Sequence, residues 1–294
     1  MKIVQSYWSK PSSDESGLNP NNRNLGGWLE KKHNYMSWTL SCLQLRKFYN
    51  EVELVTDEAG YNLLIEQLKL PYTQVKVKLD DLNGYHNNLW ALGKIYTYGL
   101  QKEPFIHVDG DVFIWNRLPA AIEKATLCAQ NYEVDEPGYE HVYNHVKRYF
   151  NYFPDFMNYS EGTQITSVNA GIMGGNNINF FEEYATVVFD FIHKNSDKMA
   201  GLDTGSFNMF YEQYLFLRLA EQKTLNITFL VNDQRELLDQ YVNLTGAPIK
   251  TDYIHTVGAF KKRIETGKLL DYTLKKTHPD YYYRLIKSLK QHLI

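Results

Sequence analysis

Short apolar runs alternate with amphipathic stretches along the first third of the chain, a pattern that predicts strands linked by helices. Lys2 to Trp8 reads as a first strand. The polar, glycine- and asparagine-rich stretch Ser9 to Gly27 has no periodicity and reads as a long loop. Such loops are uncommon in compact domains and either cover a functional site or are locally disordered. A helix from about His33 to Tyr49 then places Trp38, Cys42, Leu45 and Tyr49 on one face. Val52 to Thr56 is a second strand, followed by Asp57 and a helix to about Leu68. Gln74 to Val77 is a third strand, Tyr85 to Leu100 a helix, and Pro104 to Val108 a fourth, strongly apolar strand.

Strands and helices alternating at this interval predict parallel βαβ units covered on both faces. Ligands on such sheets lie at the carboxyl ends of the strands. That rule singles out Ser6-Tyr7-Trp8, Thr56-Asp57 and Asp109-Gly110-Asp111.

Beyond Trp115 the pattern changes. Thr126 to Tyr132 reads as a strand and His141 to Tyr149 as a helix. Gln164 to Val168 leads into Asn169-Ala170-Gly171-Ile172-Met173-Gly174-Gly175. Helices are expected over Phe180 to His193 and Phe207 to Ala220, with a late strand at Asn226 to Val231. A basic, tyrosine-rich helical tail closes the chain. With no internal repeat and no linker, the chain reads as one α/β domain over residues 1–262, its second half interrupted. Its central sheet is mostly parallel and flanked by helices, and a tail, 263–294, packs on or extends it.

Composition narrows the partners. The 294 residues carry 31 basic and 34 acidic side chains, a net charge of -3, which argues against nucleic acid as a ligand. The one marked basic bias, Lys261 to Lys290, is a solvated helix face, or else a contact for an acidic acceptor or a peripheral membrane contact. No run approaches the ~20 apolar residues of a bilayer span. Met1-Lys2-Ile3-Val4 passes into polar Gln5-Ser6, too short for a signal-peptide core. Cys42 and Cys128 sit in segments that read as buried, without disulfide or metal-site spacing, so a reducing cytoplasm is the expected setting. The 23 Tyr, 15 Phe and 5 Trp suit base- and ring-stacking pockets, although most serve as ordinary core.

The strongest local signal is Phe105-Ile106-His107-Val108-Asp109-Gly110-Asp111-Val112-Phe113-Ile114-Trp115. Acidic groups between apolar runs cost several kcal/mol unless paired or metal-bound, at roughly the scale of any buried charge. If the chain stays extended, residues two apart face the same way, so both carboxylates face one ion. Gly110 lets a phosphate approach the backbone. Oxygen ligands of this kind suit Mn²⁺ or Mg²⁺ bridging to a diphosphate. The competing reading is a turn in which Asp109 and Asp111 accept backbone hydrogen bonds.

Tyr253-Ile254-His255-Thr256-Val257-Gly258-Ala259-Phe260-Lys261-Lys262 adds a second constellation. His255 is a candidate third ligand, Gly258 permits close backbone approach, and Lys261 is a phosphate-binding point charge. Asn169 offers a donor and an acceptor to hydroxyl groups beside small Ala170 and Gly171; a tight turn with an asparagine cap explains them equally. Glu212 and Gln213 are candidates for steadying developing positive charge or a hydroxyl, against a solvent-facing pair on an amphipathic helix. Lys94 is a candidate for phosphate or for an acidic partner. Asp57 meets a base or ribose or caps the next helix. Tyr7 and Trp8 are candidates for stacking on a base. The remaining histidines considered, His33, His86, His141, His145 and His193, read as structural.

Taken together, the acidic centre, Asn169-Ala170-Gly171 and the His255 segment resemble glycosyltransferases of the GT-A fold. The likeness is strongest to the retaining, glycogenin-like and lipopolysaccharide galactosyltransferase-like family. The resemblance covers roughly Lys2 to Lys262 by order of elements. It implies a nucleotide-sugar donor, usually a UDP-sugar, and usually manganese. Asp109 and Asp111 match that family's Asp-any-Asp metal motif. His255, Gly258 and Lys261 match its late His-x-x-Gly-x-x-Lys motif, with the histidine as third ligand and the lysine on the diphosphate. Asn169 and Ala170 correspond to its sugar-contacting segment, Lys94 to the lysine preceding the metal motif, and Glu212-Gln213 to its acidic pair. The expected activity is sugar transfer, with retention, to a hydroxyl acceptor of a glycan, lipid-linked or small-molecule kind. The rivals are a nucleotidyltransferase and a non-catalytic sugar-binding or scaffold protein on the same fold.

Overall fold

The first strand, β1 (Lys2–Tyr7), is buried along nearly its whole length, as a strand covered on both faces must be. The computed structural model describes residues 1–12, 25–134, 138–159, 164–199, 202–232 and 242–294. Most of the predicted loop at Ser9 to Gly27 lies outside them. After β1 come α1 (Lys31–Phe48), β2 (Val52–Thr56), α2 (Glu58–Tyr61) running into a π-helical turn (Asn62–Gln67), and β3 (Gln74–Val77). Next are α3 (Leu92–Gly99), β4 (Phe105–Val108), β5 (Val112–Ile114), α4 (Ala120–Glu123), β6 (Leu127–Val134) and α5 (Tyr139–Tyr149). The chain continues through β7 (Thr166–Gly175), α6 (Ile178–Lys194), α7 (Thr204–Met209), a second π-helical turn (Phe210–Tyr214) and α8 (Leu215–Gln222). It ends with β8 (Ile227–Phe229), β9 (Tyr253–His255) and two helices, Ile264–Thr277 and Pro279–Lys290. The architecture is the expected mixed α/β one, a seven-stranded, mostly parallel sheet flanked by helices, with β5 and β9 as a separate antiparallel pair.

Two compact units divide the chain. One comprises Met1–Asn87, Val108–Leu118 and Asp233–Ile294; the other, Asn88–His107 and Pro119–Asn232. In the first, β1, β2 and β3 run parallel, with Ile3 opposite Val52 and Leu54 opposite Val75. Helix α1 is buried all round rather than on one face, from His33 through Leu45 with few exceptions. The spacing of Trp38, Cys42 and Leu45 shows only one side of it. The other side carries small hydroxyl residues, Ser37, Thr39 and Ser41, which satisfy themselves on backbone carbonyls. The core around α1 includes Tyr35, Met36, Leu40, Leu54, Leu64, Phe113 and Ile254, together with Leu270, Leu274 and Leu285 of the two closing helices.

In the second unit, β7 pairs antiparallel with β6 (Cys128 opposite Gly174), and β6 pairs parallel with β8. Its interior is aromatic: Tyr98, Phe105, Phe180, Phe181, Tyr184 and Phe216 are all fully buried and meet edge to face or stacked. Much of the aromatic surplus is therefore core.

Two predicted boundaries are corrected. The helix expected from Tyr85 begins only at Leu92. Asn208 takes the backbone ahead of it, accepting from Ala91 N at 2.9 Å and donating to Asn88 O at 2.7 Å, which replaces a helical turn. The segment after Val168 is no turn, because β7 runs unbroken from Thr166 to Gly175. The glycine at 174 is explained by β4, since a Cβ there would collide with the Phe105 carbonyl. Both cysteines are free and buried; burial pushes the Cys128 thiol up to about 12. Among the described residues no helix is long and apolar enough to cross a membrane.

Candidate metal centre and a buried polar cluster

Between β4 and β5 the chain makes a tight turn in which Val112 N donates to Asp109 O at 3.1 Å. Asp109 and Asp111 thus sit on a turn, not on the extended strand that the spacing argument assumed. The turn is held from α1. Ser37 Oγ donates to Gly110 O at 2.7 Å and Ser41 Oγ to Asp109 O at 3.3 Å. The Trp38 indole lies against Gly110, where a Cβ would collide with it. Gln5, buried in the middle of β1, donates to Ser41 Oγ at 3.0 Å and to Val108 O at 3.3 Å, and Tyr72 Oη donates to Gln5 Oε1 at 2.8 Å. Sequence reasoning missed this support. Gln5 inside an otherwise apolar strand was its one visible signal, because a buried amide needs partners.

The third member arrives by strand pairing. In β9, His255 stands opposite Val112, Ile254 opposite Phe113 and Tyr253 opposite Ile114, with Thr256 N donating to Asp111 O at 3.1 Å. This register sets His255 Nε2 at 3.4 Å from Asp111 Oδ1. Asp109, Asp111 and His255 each offer a ligand atom, all within 4.8 Å of one another. Lys261 Nζ lies 2.5 Å from Asp111 Oδ2 and donates to Gly26 O at 3.1 Å. Burial alone would raise the Asp111 carboxyl, but the Lys261 ammonium and then His255 outweigh it and hold the group well below the usual carboxylate range. A carboxylate kept ionised, a second acid and an imidazole form a donor set that fits a divalent ion such as Mn²⁺ or Mg²⁺. Gly258 has φ of +47° and open space where its Cβ would be, so conformation rather than crowding accounts for it.

Other candidates in the same unit are tied differently. Asp57 caps α2, accepting from Gly60 N at 2.8 Å, and also accepts from Ser9 N and Ser9 Oγ at 2.8 and 2.6 Å. Capping, one of the two roles expected of Asp57, is thus observed. Tyr7 and Trp8 are buried at the end of β1, and Tyr7 packs edge-on against Trp38 with ring centres 5.0 Å apart.

The second unit gathers the remaining candidates. Glu212 and Gln213 do not face solvent as an amphipathic helix would have them; both are buried in the π-helical turn. Such widened turns recur at functional sites. Lys94 pairs with Glu212 and also donates to Ala170 O at 3.1 Å, so the acidic partner expected for this lysine is Glu212. Asn169 uses both ends of its amide within the chain, donating to Glu133 at 2.9 Å and accepting from Gly171 N at 3.0 Å. Gln213 Oε1 accepts from Tyr139 Oη at 2.5 Å.

A family described as "Family of unknown function (DUF6734)" matches residues 1–288. The chain belongs to it. No curated protein matches this DUF6734 member. Among solved structures, it is similar to the galactosyltransferase LgtC in complex with donor and acceptor sugar analogues, at 12% identity over 72% of this chain and 70% of that one (TM-score 0.39). An active-site mutant of LgtC is similar at 11% identity over 97% and 100% of the two chains (TM-score 0.47). The glycosyltransferase GlyE of Streptococcus pneumoniae TIGR4 is similar at 11% identity over 99% of the DUF6734 chain and 63% of its own (TM-score 0.44), so this chain spans less than two thirds of GlyE.

Proposed function

We propose that the chain is a metal-dependent glycosyltransferase that moves a sugar from a nucleoside diphosphate, a UDP-sugar in the first instance, to a hydroxyl acceptor with retention. The observation carrying this reading is the convergence of Asp109, Asp111 and His255 within 4.8 Å, with the Lys261 ammonium beside Asp111. Two acids and an imidazole hold a divalent ion; a lysine next to them serves an anionic ligand of that ion.

In this proposal Asp109, Asp111 and His255 would hold Mn²⁺ or Mg²⁺, which when bound supplies Lewis-acid neutralisation of the leaving diphosphate. Lys261 would place its charge on the same phosphates, and Gly258 would let the backbone adopt the turn leading to it. The bond from the anomeric carbon to the diphosphate oxygen breaks, and its electron pair leaves with the nucleoside diphosphate. The acceptor oxygen attacks the same face, and its proton passes to the departing phosphate. Glu212, Gln213, Asn169 and Ala170 are assigned to the sugar, with Lys94 keeping the Glu212 charge paired; a buried carboxylate without a partner would be severely destabilising. Tyr7 and Trp8 are assigned to the base.

The test is product release. Incubation with UDP-glucose or UDP-galactose and Mn²⁺ is expected to liberate UDP, and chelation to abolish it. Pyrophosphate release from a nucleoside triphosphate and a sugar phosphate would instead establish nucleotidyl transfer. Sugar binding that is indifferent to metal and to Asp109→Asn with Asp111→Asn would establish a non-catalytic binding protein.

A further inference from the structure

Gln5 is fully buried in β1, and the neighbours of its amide fix which end points where. Its Nε2 lies 3.0 Å from Ser41 Oγ, 3.3 Å from Val108 O and 3.4 Å from Asp109 O. Two of these are carbonyl oxygens, which can only accept, so the NH₂ end of the amide must face them. The amide oxygen is thereby turned the other way, onto Tyr72 Oη at 2.8 Å. An amide oxygen cannot donate, so the Tyr72 proton is committed to this bond. Burial keeps that proton in place, holding the Tyr72 hydroxyl well above the usual tyrosine range.

Ser41, also fully buried, is constrained in turn. Its oxygen receives the Gln5 NH₂, and its own proton goes to Asp109 O at 3.3 Å. The same carbonyl accepts from Val112 N at 3.1 Å, the bond that closes the acidic turn. Donors from β1, from α1 and from the turn itself therefore converge on the Asp109 carbonyl. Held in this way, the peptide plane cannot rotate, and the direction in which Asp109 carries its carboxylate is set with it. Tyr72 starts this chain of bonds from just ahead of β3, a strand separated from β1 by β2.

We infer that Tyr72 is a positioning residue for the acidic turn, acting through Gln5 and Ser41 to set where the Asp109 carboxylate meets a divalent cation. The inference rests on the metal-dependent reading of Asp109, Asp111 and His255. Without the Tyr72 hydroxyl, the Gln5 oxygen loses its buried donor, and the amide is no longer held with its NH₂ on the two carbonyls. Phenylalanine at 72 keeps the ring and removes only the hydroxyl, so its effect is read on the turn rather than on packing.

The experiment is calorimetric titration of Mn²⁺ into wild type, Tyr72→Phe, Gln5→Met and the double variant, with urea denaturation in chelator alongside. Groups that hold metal ligands from behind are worth about 10- to 100-fold in affinity. Gln5→Met is expected to weaken Mn²⁺ binding on that scale, Tyr72→Phe by several-fold. The double variant matches Gln5→Met alone, because Tyr72 reaches the turn only through Gln5. Ser41→Ala also weakens binding, and together with Tyr72→Phe it carries the test if Gln5→Met does not fold. A merely structural role would shift the urea midpoint and leave the Mn²⁺ affinity of the folded protein at the wild-type value. That result, or additive losses, would overturn the positioning role while leaving the metal centre intact. Wild-type protein that does not bind Mn²⁺ would overturn the metal reading and this inference with it.

Discussion

His255 and Asp111 stand 3.4 Å apart because a three-residue strand late in the chain pairs, residue for residue, with the strand that follows the acidic turn. The contact is therefore a property of β-sheet register, and a slip of one residue would turn the imidazole to the opposite face. His255→Ala is expected to weaken Mn²⁺ binding about 10- to 100-fold, with little change in folding, as loss of one group from a metal site does. Calorimetric titration of metal into wild type and variant checks it, and equal affinities would remove His255 from the ligand set.

Asp111→Asn keeps the shape of the turn and removes the charge that Lys261 and His255 face. UDP release from a UDP-sugar in Mn²⁺ is expected to fall by at least about a hundredfold. Retained turnover at saturating metal would dissociate the acidic turn from catalysis.

Gly110→Ala tests the α1 support. A methyl group there meets the Trp38 indole, and overpacking of this kind costs about 1–3 kcal/mol. Trp38→Phe in the same chain is expected to recover part of the loss by relieving the collision. Urea denaturation of the single and double variants reads both; a Gly110→Ala protein as stable as wild type would mean that the indole moves freely.

Lys94→Met removes the ammonium that pairs with buried Glu212 in the interior of its unit. Breaking such a pair from one side costs about 3–5 kcal/mol, and converting both partners to apolar residues restores much of it. Chemical denaturation of Lys94→Met and of Lys94→Met with Glu212→Leu is the measurement. A single variant costing no more than the double would show the pair to be weakly coupled.

Acid should weaken the fold in two separate windows. His107 is buried against Tyr98 with ring centres 5.2 Å apart, and burial, reinforced by the Lys94 charge, lowers its proton affinity well below the usual histidine range. The unfolded chain thus binds a proton near its ordinary pKa of about 6.5 that the folded chain refuses, so stability falls as pH drops below that value. The slope from this one group approaches about 1.4 kcal/mol per pH unit, and His107→Phe should remove it. Asp111 has the same sign but lies lower. Its contribution is present above the ordinary carboxylate range of about 4 and is lost as pH falls through the depressed value. Stability profiles of wild type and His107→Phe that run parallel between pH 7 and 5 would contradict the assignment.

The alternation of apolar runs made the α/β sheet and most strands legible, and the acids after β4 stood out in the sequence as charge set between apolar runs. The pairing of β5 with β9 was not, since three-residue strands leave no periodic trace and their partner lies far along the chain. Nor was the start of α3, where one asparagine side chain displaces helical hydrogen bonds, or the burial of Glu212 and Gln213, because a π turn shifts the helical phase on which face assignments depend. Gln5, Ser37 and Ser41 illustrate a further limit: small polar groups that hold a turn in place look like surface residues until their carbonyl partners are known.

The unit that holds Asp109 and Asp111 is assembled from three separated stretches, the last of them supplying His255 and Lys261. During translation the two acids leave the ribosome long before the imidazole does. A chain arrested between β5 and β9 would carry Asp109 and Asp111, two of the three proposed ligands, without His255.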